Sequence, residues 1–265
     1  MKKYYVAVDL EGVACVVGEH GVGLGQGKQY AFAAREGLLE ANACAKALFD
    51  SGADEVVVWD NHGSGLNMDY DLLDSRCKIA MGSGFHGRFP GMDDSYTGIL
   101  LIGYHAREAT RNAVLAHTYN SKVYQGYTIN GKELGEMEID AACAARHGVK
   151  IMFAASDAAG VMQAKESFPW IEAVETKQGF GWNGAVSLHP KEAQRKIYEA
   201  VKRAVAREDE MQCYQFSYPI DVSIRFKRMD AANQAQLYDR ERKPFTYLDA
   251  FTRTGMLDDI NQLFD

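Results

Sequence analysis

A chain of 265 residues, 47% of them hydrophobic and 25% charged, has the composition of a folded globular protein and is long enough to bury a substantial core. Its net charge of −7 excludes nucleic-acid binding as a main task, because a phosphate backbone requires a basic surface that releases counterions. No run approaches the roughly 18 uncharged apolar residues of a membrane span, and the basic start "MKKYY" meets acids without a cleavage pattern, so neither membrane nor secretion is expected.

In chain order, "KYYVAVDL" (3–10) predicts a buried strand, followed by a glycine-rich loop and a helix over about 28–51 that Gly52 ends. Further strands are expected at 54–60, 98–104, 112–118 and 149–155, all but 112–118 buried on both faces. Asn130-Gly131 predicts a tight hairpin, and a helix is expected over about 133–147. Next come a short helix after Asp157, a strand near 171–177 and an amphipathic helix over about 190–207 opened by Pro190. The last sixty residues offer a strand, "PIDVSIRF", and a helix, "DAANQAQLYDR". Strands alternating with helices predict an α/β fold with a largely parallel central sheet flanked by helices. The whole chain reads as one catalytic unit; a weakly marked boundary near 210 leaves open a smaller C-terminal α/β portion.

Asp9 and Glu11 share one side of the first strand as it leaves the sheet, and two acids so placed repel unless a proton, a basic partner or a metal absorbs the charge. His62, His105 and His117 each follow a predicted strand, at the sheet edge where open α/β folds bind ligands. Taken singly, such a histidine more often satisfies loop carbonyls than holds a ligand. Together with Glu136, which follows Gly135, they make a convergent donor set. Glu133, Glu138 and Asp140 are expected on the solvated face of the same helix, and Asp60 either orients His62 or caps its loop.

Other motifs fail. "GVGLGQGK" lacks the spacing of a phosphate loop, so Gly21, Gly23, Gly25 and Gln26 read as a mobile loop that could cover the site. His20, His147 and His189 read as structural. No GxSxG elbow is present, and the five scattered cysteines, without a CxxC pair, fit reduced thiols in the cytoplasm rather than a nucleophile. Mixed imidazole and carboxylate donors suit zinc, with manganese or cobalt as substitutes. Three of each exceed the needs of one tetrahedral ion, so a pair about 3.5–4 Å apart, with a bridging hydroxide as nucleophile, is the expectation.

In this order, "VDLEG", "EAN", "DNH", "GYHAR", "AH" and "GKELGE" resemble the zinc-dependent D-aminopeptidase family, peptidase family M55, with "VKIMFAASD" and "ETKQG" extending the likeness to about residue 180. The resemblance implies that Asp9 bridges two zinc ions, with Glu11 and His62 on one and His105 and Glu136 on the other, and that His117 is catalytic. It also implies a short peptide substrate with an N-terminal D-residue, and a homo-oligomer, a decamer by analogy. "GFGWNGA" and "AHTY" would shape the pocket differently from one made for D-alanyl peptides. The expected activity is hydrolysis of the N-terminal residue from short peptides. A two-metal amidohydrolase or phosphoesterase, and a metal-containing binding protein without turnover, are the alternatives.

Overall fold

The computed structural model describes residues 1–25 and 27–264. The first half builds β1 (Lys3–Val8), α1 (Tyr30–Asp50), β2 (Glu55–Asp60), β3 (Lys78–Ala80), β4 (Gly98–Ile102), β5 (Tyr124–Ile129), β6 (Lys132–Leu134) and α2 (Glu136–Ala145). The second builds β7 (Lys150–Asp157), α3 (Ala158–Ser167), β8 (Glu172–Gly181), β9 (Gly184–Ser187), α4 (Pro190–Ala206), β10 (Ile220–Phe226), α5 (Met229–Gln234), β11 (Thr246–Tyr247) and β12 (Thr252–Leu257). Seven strands form one sheet in the order β3-β2-β1-β4-β7-β8-β9, parallel except for β9. Five form a smaller antiparallel sheet in the order β11-β12-β10-β5-β6.

Alternation along β1 explains the layering. Tyr4, Val6 and Val8 pack with Leu38, Leu48 and Ile197 under α1 and α4, while Tyr5 and Ala7 pack with Met137 of α2, Ala164 of α3 and Phe168 just beyond it. The chain runs outward from β1 to β2 and β3, then returns to place β4 on the other side of β1. The order therefore reverses between β1 and β4, opening a crevice at their C-terminal ends.

The second sheet packs on α2 from the opposite side. Met137, Ala141 and Ala144 face the large sheet, and Ile139, Ala142 and Cys143 join Ile129, Val222 and Phe226 of the small one. A helix covered on both sides has no wet face. Glu138 and Asp140 are accordingly buried, 3% and 0% exposed, and only Glu133, on β6, is solvated.

The hairpin at Asn130-Gly131 forms with both residues at positive φ, as a two-residue primed turn requires. Residues 132–134 pair as β6, so the helix expected from 133 starts at Glu136. The strand expected at 112–118 is instead an irregular loop. Asn112 and Leu115 adopt left-handed φ of 59° and 52°, and the Val114 and Leu115 amides donate to Asp157 Oδ2 and the Trp182 carbonyl rather than to a ladder. The C-terminal helix stops at Gln234, because the segment beyond it turns back through Asp239. Strands β3, β9, β11 and β12 were not foreseen; β3 and β11 are too short to carry a periodic signal.

Candidate metal centre

Two glycines bring the turn of Asp9 and Glu11 against the turn that carries His105. Gly12 donates to the Gly103 carbonyl at 2.6 Å, and a Cβ on Gly12 would lie 2.0 Å from the Tyr104 carbonyl oxygen. Gly103, at φ +69°, leaves no more room: a Cβ there would lie 2.0 Å from the Asp9 carbonyl oxygen. The turns after β1 and β4 thus cross backbone to backbone. A buried lysine fixes the first of them, for Lys177 on β8 donates Nζ to the carbonyls of Glu11, Val13 and Val16 at 2.5, 2.7 and 2.6 Å. Glu40 of α1 accepts from the Ala14 amide at 2.9 Å, tying the same turn to the helix.

Asp9 stands at the centre. Its Oδ1 lies 2.8 Å from His62 Nδ1, and its Oδ2 lies 3.4 Å from His105 Nε2. Glu11 Oε2 is 3.3 Å from His62 Nδ1, and Glu136 Oε1 is 3.2 Å from His105 Nε2. All six side chains predicted to converge do so, His117 among them: its ring stacks on that of His105 at 4.0 Å, with Nε2 3.9 Å from Glu136 Oε1. Donor atoms of Asp9, Glu11 and His105, and separately of His105, His117 and Glu136, lie within 4.8 Å of one another. His105 Nδ1 faces the Ala106 carbonyl at 3.0 Å and His117 Nδ1 the Leu115 carbonyl at 2.9 Å. Each Nδ1–H therefore donates to backbone, so each Nε2 is the ring nitrogen turned toward the cluster, an electron-pair donor whenever the ring is neutral.

Burial and crowding set the charges. Burial, with the neighbouring Glu11, pushes the Asp9 carboxyl up to about 7. Burial alone would lower His105, but Glu136 and the two other carboxylates raise it to about 10. His62 is driven well upward in the same way, by Glu11 and Asp9 against its burial. Glu136 is held at about 2: burial opposes its charge, and the His105 contact outweighs it. His117 moves down instead, through burial and the charge on His105. Without a metal, protons on His62 and His105 balance the acids.

The remaining residues support this cluster. Asp60 does not touch the His62 ring. It accepts from the Asn67 amide and side chain at 2.7 Å, and Asn67 Nδ2 donates to the His62 carbonyl at 2.5 Å, so Asp60 shapes the loop that carries His62. Gly135 lets Arg107 come close rather than a ligand, since a Cβ there would lie 2.8 Å from Arg107 Cβ. Trp182 donates Nε1–H to the Ala116 carbonyl at 3.1 Å and braces the loop of His117. His189 caps α4, accepting from the Lys191 amide, in keeping with a structural role. The cluster forms the floor of a cavity of about 960 Å³ that Gly21–Gly25 also line, while Gln26 lies outside the described residues. Sequence reasoning missed Lys177 and Arg88 as parts of the site, while Trp182 lies in the "GFGWNGA" segment expected to shape the pocket. A lone lysine or arginine in a loop or strand carries no periodic or spacing signal.

An α/β sheet with a histidine–carboxylate cluster at its switch point defines a class, the metallo-aminopeptidases, once the relatives are considered. Residues 1–256 match the model of the Peptidase_M55 family, described as D-aminopeptidase, and the chain belongs to that family. It is similar to the D-aminopeptidase of Bacillus subtilis (strain 168), with 28% identity over 236 residues, 89% of this chain and 85% of the relative. Its fold is that of the Zn-dependent D-aminopeptidase DppA from Bacillus subtilis, a self-compartmentalizing protease. The TM-score is 0.89 at 24% identity, covering 100% of this chain and 94% of the other.

Proposed function

We propose that the chain is a two-zinc aminopeptidase that removes an N-terminal D-amino acid from short peptides. The observation that carries this reading is the convergence of buried donor atoms of Asp9, Glu11 and His105 within 4.8 Å of one another, where Glu11 Oε2 and His105 Nε2 have charged neighbours but no well-formed hydrogen bond. A buried acceptor and a buried imidazole nitrogen without aligned hydrogen bonds are costly, and a divalent cation would satisfy both. Asp9 presents one oxygen toward His62 and the other toward His105, which suits a carboxylate shared between two ions. Glu11 and His62 would complete one position and His105 and Glu136 the other, with zinc ahead of manganese or cobalt for this mixed donor set.

When bound, the two ions supply Lewis-acid polarisation of the peptide carbonyl and acidify the attacking water. The protein supplies orientation and proton movement. His117, neutral because burial and His105 lower its proton affinity, keeps its Nδ1–H on the Leu115 carbonyl and offers Nε2 to the cavity. There it accepts a proton from the reacting centre and passes it to the leaving amine. The Tyr119 amide donates to Glu136 Oε1 at 2.6 Å and holds that carboxylate in place.

The chain works on short peptides in the cytoplasm as a homo-oligomer. Support comes from five free cysteines and from a structural relative described as self-compartmentalizing; a ten-copy assembly is the specific form expected. No helix among the described residues is long and apolar enough to cross a membrane.

Amine release from matched D-alanyl and L-alanyl amides, before and after chelation and after zinc is restored, tests the reading. D-selective cleavage that vanishes with chelator and returns with zinc is expected. In the same assay His117→Ala should lose on the order of 10²–10⁴-fold in turnover while its metal content stays at the wild-type level. Inert zinc-loaded protein would refute the assignment, and loss of metal in the variant would make His117 a ligand instead.

A further inference from the structure

The cavity has a second built wall, about one helical turn along α2 from Glu136. Asp140 follows Glu136 by four residues, which sets the two side chains roughly 5–6 Å apart on one face of the helix. Arg88 grips Asp140 through a fork, Nε to Oδ1 at 2.7 Å and Nη2 to Oδ2 at 2.8 Å. Tyr104 and Tyr119 donate their hydroxyls to the same carboxylate at 2.8 and 3.0 Å. The guanidinium also packs over the rings of Trp59 and Tyr119, at 4.7 and 5.3 Å. Its orientation is therefore fixed before any ligand arrives.

The fork uses two of the three guanidinium nitrogens. Nη1 has no partner among the described residues, and Arg88 lines the cavity whose floor holds Asp9, Glu11, His62, His117 and Glu136. The same relay orients Asn61. Because the Tyr104 hydroxyl gives its proton to Asp140, it accepts from Asn61 Nδ2 at 3.0 Å, and Asn61 Oδ1 is left without a partner beside His62. The wall thus presents a guanidinium nitrogen with no protein partner among the described residues, held in place by a rigid polar network.

We propose that Arg88 binds the C-terminal carboxylate of a short peptide substrate, making it a specificity-determining residue. The inference rests on the aminopeptidase reading and deepens it. Position argues for a short peptide: Arg88 and the cluster line one cavity, so a substrate whose amino end is held at the cluster can lay its far carboxylate against the guanidinium. Geometry argues for a carboxylate there: a planar, pre-oriented guanidinium donates well to one, and its remaining Nη1 is a charge-assisted donor while the fork holds Asp140. Lys122, exposed at the rim of the same cavity, is the competing cation.

The test compares kcat and KM for D-alanyl-D-alanine and its C-terminal amide in zinc-loaded wild type, Arg88→Lys, Arg88→Met and Lys122→Met. D-Alaninamide, which has no carboxylate, reports the basic reaction. Wild type is expected to favour the free dipeptide over its amide by on the order of ten- to a hundredfold, mainly in KM, as for a charge-assisted hydrogen bond formed on binding. Both Arg88 variants should bring that ratio close to one, whatever their absolute losses, and Lys122→Met should keep it. The ratio is insensitive to partial unfolding, and Arg88→Lys, which retains a charge opposite Asp140, carries the test if Arg88→Met does not fold. A wild type indifferent to the carboxylate, a ratio that persists in Arg88→Lys, or one lost in Lys122→Met would overturn the proposal while D-alaninamide is still cleaved. If D-alaninamide and both dipeptides resist the wild type, the aminopeptidase reading falls and this inference with it.

Discussion

Asp9, Glu11, His62, His105, His117 and Glu136 were legible as a set because each is a metal-competent side chain beside a predicted strand end or helix start. What each does inside the cluster depends on neighbours the sequence does not bring near it. Asp140 shows the difference. Its charge suggested solvent, yet it lies fully buried under Arg88 and two tyrosines. The protonation states lead to a testable consequence. His105, raised to about 10, contributes stability that is fully present below its ordinary value of about 6.5 and is lost as pH rises toward 10. Asp9, raised to about 7, adds a cost that is absent below about 4 and complete above 7. Both make the metal-free protein lose stability as pH rises. A metal that displaces these protons binds more tightly in the same direction, so the gap in Tm between zinc-loaded and chelated protein should widen from pH 6 to 8. Zinc titration at pH 7 in buffers of different ionisation enthalpy should show release of on the order of two protons per chain. A gap that narrows, or binding without proton release, would contradict these charge assignments.

At the scale of elements, long periodic segments were readable and short or strained ones were not. The strands β1, β2, β4 and β7 and the helices α1 and α4 each have enough residues to show their period. The loop at 112–118 has the composition of a strand, and its hydrophobic residues are indeed buried, but its amides are claimed by Asp157 and Trp182 from distant parts of the chain. Lys177 is the clearest case of an element acting on another, since β8 uses it to hold the turn that carries Glu11. The Glu11 and Val16 carbonyls have no other donor among the described residues. Lys177→Met should therefore cost about 2–5 kcal/mol, the cost of leaving buried acceptors unpaired, and should weaken zinc retention. Urea unfolding and metal analysis check this; wild-type stability with full metal content would remove Lys177 from the support of the site.

For the whole molecule, the two sheets share α2, and the smaller sheet joins β5 and β6 from mid-chain to β10, β11 and β12 after residue 220. A cut near 210 would strip three strands from that sheet and uncover Ile139, Ala142 and Cys143 beside Glu136 and Asp140. We propose that the chain unfolds as one unit, so the full protein should show a single transition by circular dichroism and by fluorescence. A chain ending at 210 should not fold cooperatively; an independently folding, zinc-binding 1–210 fragment would divide the molecule in two. The sequence by itself determined the α/β class, the tight hairpin at Asn130-Gly131 and the identity of the metal-competent side chains. Hydrophobic period, turn chemistry and residue type are local properties, and a short window of the chain contains them. Only the tertiary structure decided that α2 lies between two sheets, that Gly12 and Gly103 meet back to back, that Lys177 holds the Glu11 turn and that Arg88 lines the cleft. Those outcomes depend on which distant surfaces compete to be buried together, and no segment read alone contains that competition.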